Sequence, residues 1–219
     1  MARQAGRFLI WGAGGHGRVV SDLVQSLGHE VAGFVDRDET KVGLSPGRCG
    51  HRVIATEDVM LDAVQREGHL PAGATFIALG IGDNRARSQC IDVLQERMLP
   101  VLIHESATVS PSATIGYGSV ILPRSVINAD ATIGRGVIIN SGAIIEHDCS
   151  IGDGVHVSPG AVLVGGVRVG KRSWIGASAV VIDAVAVGDD AIVGAGAVVI
   201  RDVPAGFTVV GNPARHLRS

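Results

Sequence analysis

The sequence predicts a small Rossmann-like α/β domain over residues 1–102, followed by a parallel β-helix with a C-terminal tail over residues 103–219. Two patterns predict this division. A strand, a glycine-rich turn and a helix follow one another near the N-terminus, and a six-residue repeat occupies the second half. The composition agrees, because 46% of the residues are hydrophobic but only 3% are aromatic. A core of small and β-branched side chains favours closely layered strands.

Charge, hydropathy and cysteine content exclude several classes of protein. The formal net charge of −2 gives no electrostatic basis for binding nucleic acid or an anionic membrane. The sequence has neither an apolar run of about 18 residues nor the pattern of a signal peptide. Cys49, Cys90 and Cys149 are odd in number and widely spaced. They predict a reducing, cytoplasmic environment without disulfides or a metal site.

The N-terminal segment reads as a β-α-β unit. Residues 8–11 form a short apolar strand, and residues 12–17 form a glycine-rich turn. Residues 18–27 have helical periodicity, which Gly28 ends. Residues 31–35 form the second strand.

The glycine turn predicts a phosphate-binding site. Gly12, Gly14 and Gly17 fit the G-x-G-x-x-G pattern, and Asp36 follows about 20 residues later. Glycines let a phosphate approach the backbone, and free amides at a helix start favour an anion. We therefore expect substrate contacts from the following residues of this unit: Gly14, His16, Gly17, Asp36 and Arg37. For His16, a hydrogen bond at the helix start is the alternative to a sugar or phosphate contact.

The rest of the domain limits the size of the ligand. A helix over residues 57–67 and a strand over 75–79 lead to a second glycine turn over 80–84. A helix over residues 85–97 and a strand over 101–103 follow. Both glycine turns are expected at the same carboxyl edge of a parallel sheet, where ligands bind. The second turn adds Gly82 and Asn84 to the predicted site. A domain of this length fits a mononucleotide or nucleotide sugar better than NAD(P).

The repeat begins at Ile103 and continues without insertion. The first positions of its seventeen units are all aliphatic: Ile103, Val109, Ile115, Ile121, Ile127, Ile133, Ile139, Ile145, Ile151, Val157, Leu163, Val169, Ile175, Val181, Val187, Val193 and Val199. Glycine often follows directly, and the fifth position is usually small. Three units make one turn of a triangular coil, so residues 18 apart stack at about 4.8 Å. The aliphatic positions point inward, and the glycines are expected to permit tight corners.

The chain resembles the hexapeptide-repeat sugar O/N-acetyltransferases. The resemblance rests on G-A-G-G-H-G at residues 12–17, on I-I-E-H-D-C-S-I-G-D-G-V-H-V-S-P-G at 144–160, and on the ending V-P-A-G…V-G-N-P-A-R at 203–215. This family includes sialic acid O-acetyltransferases and the bacillosamine and GDP-perosamine N-acetyltransferases. It implies a left-handed β-helix, acetyl-CoA as cosubstrate, and a homotrimer with active sites between subunits. It also implies a role in surface polysaccharide biosynthesis.

His147 is the expected general base. It occupies the third position of its unit, on a corner that points away from the core. Attack on acetyl-CoA needs an unprotonated amine or hydroxyl, and a histidine near neutral pKa can take the proton. The family places a carboxylate partner directly after the histidine, which assigns Asp148 rather than Glu146. Aspartate has a shorter reach than the family's usual glutamate, so an indirect hydrogen bond is expected. A solvated surface histidine is the alternative interpretation.

The resemblance also implies residues that contact acetyl-CoA. His156 is expected to bind acetyl-CoA or the acceptor, with an interface hydrogen bond as the alternative. Gly165 is 18 residues after His147, and Gly165 and Gly166 are expected to offer a backbone amide to the thioester oxygen, although a tight corner alone would explain them. Ala177 and Ala195 are expected on the same side as Gly165, with amides facing the pantetheine arm. Cys149 falls at a small, inward position, which favours a buried role over an acetyl-cysteine intermediate.

The sequence therefore favours acetyl-CoA-dependent N-acetylation of a nucleotide-linked amino-deoxy sugar by direct attack. O-Acetylation of sialic acid or a related sugar is the second enzymatic hypothesis. A non-catalytic, nucleotide-binding β-helix scaffold is the hypothesis from another class. The sequence does not choose between GDP-perosamine and a UDP-4-amino sugar.

Overall fold

The computed structural model describes residues 5–217. The N-terminal strands and helices are β1 Arg7–Trp11, α1 Gly15–Ser26, β2 Glu30–Asp36, β3 Val53–Thr56, α2 Glu57–Glu67, β4 Phe76–Leu79 and α3 Asn84–Val93. Short 3₁₀ helices span Glu39–Lys41, Pro71–Gly73 and Glu96–Met98. The remaining strands are β5 Leu102–Ile103, β6 Thr108–Val109, β7 Thr114–Ile115, β8 Val120–Ile121, β9 Val126–Ile127, β10 Thr132–Ile133, β11 Ile138–Ile139, β12 Ile144–Ile145, β13 Ser150–Ile151, β14 His156–Val157, β15 Val162–Leu163, β16 Arg168–Val169, β17 Trp174–Ile175, β18 Val180–Val181, β19 Ala186–Val187, β20 Ile192–Val193, β21 Val198–Val199, β22 Thr208–Val210 and β23 Arg215–His216.

The first four strands form one parallel sheet in the order β3-β2-β1-β4. Strand order reverses at β1, so β1 and β4 are neighbours and their carboxyl ends meet. The amide of Gly80 donates to Trp11 O at 2.8 Å, and a Cβ on Gly12 would lie 2.8 Å from Gly80 O. The prediction that both glycine turns share one sheet edge is confirmed. The sequence analysis did not identify β3.

Two of the three helices differ from their predicted limits. Helix α1 begins at Gly15, three residues earlier than predicted, so His16 and Gly17 lie in its first turn. Helix α2 has its predicted limits. Helix α3 ends at Val93 rather than at residue 97, because Leu94 is extended (φ −111°, ψ 154°). That change of direction turns Leu94 and Leu99 into the core of the domain.

From β5 onward the chain coils as a triangular parallel β-helix, which confirms the predicted fold class. We name its sheets by the order in which the chain meets them. Face 1 contains β5, β8, β11, β14, β17, β20 and β22, with β23 antiparallel at its upper edge, face 2 contains β6, β9, β12, β15, β18 and β21, and face 3 contains β7, β10, β13, β16 and β19. Parallel partner residues are 18 apart, as in Ile138 with His156, except between β20 and β22, where they are 16 apart, and the chain turns at the 1–2, 2–3 and 3–1 corners.

The inward aliphatic column forms the core of the coils. From Ile121 onward, every first position of the repeat is at most 3% exposed, and the small fifth positions pack beside it. Ile103 is 37% exposed because it lies in the first coil, which has no coil beneath it.

The glycines of the repeat act differently from the prediction. Those at the second position do not have positive φ, so they are not needed to make a corner. A Cβ on Gly134 would instead lie 2.7 Å from the backbone nitrogen of Asp153 in the next coil. These glycines therefore permit close stacking of coils. The corners are made by the fourth positions, where Asp130, Asp148 and Gly166 have φ of 61°, 60° and 69°.

The N-terminal domain packs on the lower coils of face 1. The outward side chains of Leu102, Val120 and Ile138 are at most 3% exposed and share a core cluster with Phe8 and Ile10. Above them on the same face, the outward positions are His156, which is half-buried, and Trp174 and Ile192, which are exposed. The upper part of face 1 therefore remains open beside the two glycine turns.

Candidate active site

The carboxyl edge of the N-terminal sheet opens into a first cleft of about 600 Å³. It is lined by both glycine turns, by Trp11 at the end of β1, and by side chains of α2 and α3. Four predicted substrate residues line this cleft: Gly14, Asp36, Arg37 and Gly82. The structure thus brings the two predicted glycine turns to one concave surface of the size that small-molecule ligands occupy.

The carboxylate of Asp36 is largely engaged within the chain. It accepts hydrogen bonds from the amide of Ala13 at 2.8 Å, from the amide of Asp38 at 3.1 Å and from Lys41 Nζ at 3.0 Å. Burial alone would raise the pKa of Asp36, but these three donors hold the pKa below its usual value. Asp36 fixes the first glycine turn, and its contact with a ligand stays a prediction.

The glycines of the first turn have two different functions. A Cβ on Gly17 would overlap the carbonyl oxygen of Gly12, so Gly17 lets helix α1 pack against the turn. Gly14 and Gly15 have open space where a Cβ would be, and Gly14 caps α1 without a side-chain hydrogen bond. The amides at the start of α1 are therefore the part of this turn that is free to meet an anion.

A second cleft of about 650 Å³ lies between the second glycine turn and the upper part of face 1. Residues 82–85 form one side of it, and His156, Trp174 and Ile192 form the other. Gly82 lines both clefts, so the two openings are adjacent along one turn.

His16 and His156 face each other across the contact between the domain and the coils. Their ring centroids are 6.2 Å apart. Burial and the nearby charge of Arg87 lower the pKa of His16 to about 4. Burial, Arg87 and His16 lower the pKa of His156 to about 3. Both rings are therefore neutral at physiological pH, and His16 Nε2 is a buried atom without a hydrogen-bond partner among the described residues.

His156 is held by face 1 on its other sides. Asn140 Nδ2 lies 3.0 Å from His156 Nε2, and the Trp174 ring stacks on the imidazole at 6.2 Å with an interplanar angle of 12°. Trp174 is 47% exposed, and its Nε1 donates to Ser158 Oγ at 2.6 Å. The structure thus groups His156 with His16 rather than with His147.

Asn84, another predicted substrate residue, has an engaged amide. Its Nδ2 donates to the carbonyl oxygens of Arg172 and Ser173, both at 3.0 Å, and its Oδ1 accepts from Arg87 at 2.8 Å. Asn84 lines the second cleft but ties the turn to the coils. Its predicted ligand contact stays a prediction.

His147 and Asp148 form an exposed pair at the 2–3 corner. The side chains are 62% and 66% exposed, and His147 Nδ1 lies 2.7 Å from Asp148 Oδ2. The indirect hydrogen bond expected from the short aspartate was wrong, because the left-handed backbone of Asp148 brings its carboxylate to the ring. The hydrogen bond that His147 donates to Asp148 raises the pKa of His147, with smaller effects of the charges of Asp148 and Glu146.

Gly165 lies directly above the imidazole in the next coil. A Cβ on Gly165 would be 2.7 Å from His147 Cε1 and 2.8 Å from Nε2, so only glycine leaves room for the ring. Among the described residues, no acceptor takes the amide of Gly165, whereas the amide of Gly166 donates to His147 O at 2.9 Å. Gly165 therefore presents a free N–H beside the imidazole, and Gly166 makes the corner.

Ala177 and Ala195 do not lie where the sequence analysis placed them. They stack on each other at the 1–2 corner, where the amide of Gly196 donates to Ala177 O at 2.8 Å. The residues that stack above Gly165 are Asp183 and Arg201, because each coil contains 18 residues. The expectation of one continuous side from Gly165 to Ala177 was wrong, because the two residues lie at different corners. The contact of Ala177 and Ala195 with the pantetheine arm stays a prediction.

Cys149 is 1% exposed, and its Sγ donates to Val164 O at 3.3 Å. Burial raises the pKa of this thiol. A protonated, buried thiol beside His147 is a packing group and not an available nucleophile.

Sequence reasoning missed Arg87. This side chain is 1% exposed in α3 and donates to both the second glycine turn and the coils. Its signal was its position, because Arg87 occupies the same helical stripe as the buried residues Cys90, Ile91 and Leu94.

Between residues 5 and 217, no three histidine, cysteine or carboxylate side chains are grouped so as to hold a metal ion. Nor does any helix in that range have the length and apolarity needed to cross a membrane.

Comparison with known proteins gives the same two parts. Residues 7–94 match the PglD N-terminal domain, and residues 130–165 and 166–201 each match the bacterial transferase hexapeptide family of six repeats. The acetyltransferase domain of PglB from Neisseria gonorrhoeae is 40% identical, with a TM-score of 0.84 over 96% of this chain and 99% of that chain.

Two further solved structures match over nearly the full chain. A histidine mutant of perosamine N-acetyltransferase from Caulobacter crescentus, in complex with CoA and GDP-perosamine, is 37% identical with a TM-score of 0.87 over 99% of both chains. WeeI from Acinetobacter baumannii is 29% identical, with a TM-score of 0.82 over 96% of this chain and 99% of that chain.

Proposed function

Because the chain belongs to the bacterial hexapeptide acetyltransferases that carry a PglD N-terminal domain, we propose that it transfers the acetyl group of acetyl-CoA to the amino group of a nucleotide-linked amino-deoxy sugar. The observation that carries this proposal is the exposed His147–Asp148 pair beneath the free amide of Gly165. That arrangement supplies a base and a hydrogen-bond donor within the space of one acyl-transfer centre.

The geometry suits direct attack on the thioester. Asp148 accepts from His147 Nδ1, which leaves the lone pair of Nε2 to take a proton from the neutral amine as it attacks. The amine nitrogen bonds to the acetyl carbon, and the Gly165 N–H stabilises the negative charge on the former carbonyl oxygen. The tetrahedral intermediate then collapses, the C–S bond breaks, and the imidazolium returns a proton to the CoA sulfur. Cys149 takes no part, because its thiol is buried.

The acceptor is proposed to lie along the second glycine turn. The first cleft holds the nucleotide, with its phosphates toward the free amides at the start of α1. The sugar extends past Gly82 into the second cleft, between the turn and the His156–Trp174 wall. The relative with bound GDP-perosamine supports a GDP-linked sugar, and a UDP-4-amino sugar fits the same two clefts.

The placement of His147 supports a homotrimer with shared active sites. His147 lies at the 2–3 corner, on the side of the coil opposite face 1, on which the N-terminal domain packs and the second cleft opens. A sugar held in the clefts of one chain is therefore expected to meet His147 of a neighbouring chain.

Face 2, which adjoins this corner, is apolar enough to meet that neighbour. Its outward positions from the second coil upward are all aliphatic and half-buried: Val126, Ile144, Val162, Val180 and Val198. An apolar stripe of this kind that solvent still reaches favours association with another subunit. We further propose that the enzyme acts in the cytoplasm, in the synthesis of a surface polysaccharide.

A thiol-release assay tests the proposal. Purified protein is mixed with acetyl-CoA and, in turn, with GDP-perosamine, UDP-4-amino sugars and free sialic acid. The release of free CoA thiol is measured, and the products are identified by mass spectrometry. We expect one acetyl group on the amine of one nucleotide sugar. Acetylation of a hydroxyl would replace the proposal with O-acetylation, and no release with any acceptor would favour a non-catalytic scaffold.

A further inference from the structure

Arg87 is a buried cation whose hydrogen bonds all go to neutral oxygens. It is 1% exposed, and it donates to Gly136 O at 2.7 Å, Gly154 O at 2.7 Å and Val155 O at 3.3 Å. On its other side it donates to Ile81 O at 2.9 Å and Gly82 O at 3.2 Å. Asn84 Oδ1 is the sixth acceptor, at 2.8 Å.

Burying a guanidinium is costly unless its donors are satisfied. Here six neutral oxygens satisfy them, and no carboxylate is among these acceptors. Burial lowers the pKa of Arg87 to about 10, so the group is still charged at neutral pH. Five of the six acceptors are backbone carbonyl oxygens. Because the planar guanidinium holds its acceptors in one geometry, Arg87 is suited to fixing the positions of these backbone segments.

The six acceptors belong to two different parts of the molecule. Ile81, Gly82 and Asn84 are in the second glycine turn, and Gly136, Gly154 and Val155 are at the 3–1 corner of two successive coils. One side chain therefore sets the distance between the turn that lines both clefts and the wall of face 1.

The surrounding contacts reinforce this connection. A Cβ on Gly136 would overlap the buried side chain of Ile91, so glycine at this corner leaves room for α3 against the coils. At the edge of the same contact, Arg85 Nε lies 3.2 Å from Asp190 Oδ1. Arg87 itself lines neither cleft.

We propose that Arg87 is a positioning residue for the nucleotide-sugar substrate: it holds the second glycine turn against the coils, so that the nucleotide cleft and the His156–Trp174 wall face one ligand. This inference rests on the proposed function for the identity of the substrate. It assigns Arg87 no contact with acetyl-CoA or with the His147–Asp148 pair.

Arg87→Lys tests this role, because lysine keeps the charge but loses the fork that reaches both sides. We expect the KM for the nucleotide sugar to rise about tenfold or more, while the KM for acetyl-CoA changes less than about twofold. The Kd of GDP or UDP, measured by titration calorimetry on the whole protein, is expected to rise in parallel. Arg66→Lys, an exposed arginine in α2, is the matched control and should leave all three values unchanged.

A second pair of variants avoids the buried site itself. Gly136→Ala places a methyl group against the buried Ile91 side chain of α3, whereas Gly142→Ala has the same left-handed backbone but open space around the new methyl group. Gly136→Ala is expected to raise the same KM selectively, and Gly142→Ala is not.

Equal changes in both KM values, or no change, would overturn the positioning role. A wild-type protein that binds a nucleotide but acetylates nothing would overturn the proposed function alone. A wild-type protein that binds neither nucleotide would overturn both.

Discussion

Replacing Gly165 with alanine displaces the imidazole of His147 while leaving that residue itself unchanged. The added Cβ would lie 2.7 Å from His147 Cε1, where ordinary contact begins at 3.4 Å, so the ring must retreat by about 0.7 Å. His147 is exposed, so the ring has room to swing outward, away from the Gly165 amide and from Asp148. Misplacement of a catalytic group by about 1 Å costs about 10²-fold in rate, so we expect kcat to fall roughly 10- to 100-fold.

The stability of the Gly165→Ala protein should hardly change. Gly165 lies outside the left-handed region, so alanine adds no backbone strain and slightly restricts the unfolded chain. We expect the free energy of unfolding to change by less than about 1 kcal/mol. The control is Gly142→Ala, where φ is 68° and the methyl group meets nothing, so it should lose about 1–2 kcal/mol of stability and keep its kcat.

Steady-state thiol release and thermal denaturation of both variants separate the two effects. A Gly165→Ala enzyme with the wild-type kcat would refute the assignment of His147 Nε2 as the proton acceptor, since the ring cannot occupy its present place beside that methyl group. A fall in activity that merely follows a fall in stability would refute the steric explanation.

Three further outcomes follow from the same site. Because His147 acts unprotonated and its pKa is raised, kcat should increase with pH through a value above 6.5, and Asp148→Asn should move that midpoint lower and reduce kcat. Cys149→Ala should retain near-normal kcat in the thiol-release assay, and a large loss would revive an acetyl-cysteine intermediate. Val180→Asp on face 2 should convert the proposed trimer to monomers in sedimentation velocity and abolish transfer, unless the active site lies within one chain.

Much of the β-helix follows from the spacing of residues. The period of six fixes which residues point inward, and three periods fix which residues stack, so the position of Gly165 over His147 follows from the number 18. Ala177 follows Gly165 by 12 residues, which is two units of the repeat. The two residues therefore lie at different corners. The period of 18 residues therefore already contradicts the expectation that Ala177 lies on the same side of the coils as Gly165.

The role of the second-position glycines was harder to predict. Sequence shows that glycine recurs, but not whether it serves a positive φ or a close approach. Here Gly134 stacks against the backbone of the next coil, while Asp148 adopts the left-handed corner. The left-handed conformation of Asp148 brings the Asp148 carboxylate to His147.

The contacts between the N-terminal domain and the coils could not be read from either part alone. Asp36 and Asn84 looked available for a ligand because sequence does not reveal their intrachain donors and acceptors. The pairing of His16 with His156 depends on how the domain packs on face 1. Arg87 was detectable only as a cation on an otherwise apolar helical stripe, because its partners on the coils lie 49 to 68 residues away in the chain.

The rate of acetyl transfer by the His147→Asn enzyme tests the central claim most directly. Asparagine keeps a polar side chain on the corner but cannot take up the amine proton, and His69→Asn, at another exposed histidine, is the control. With the nucleotide sugar that the wild type acetylates, we predict that kcat falls about 10²- to 10⁴-fold while binding of that sugar is unchanged. A His147→Asn enzyme that retains near-normal kcat would contradict the account.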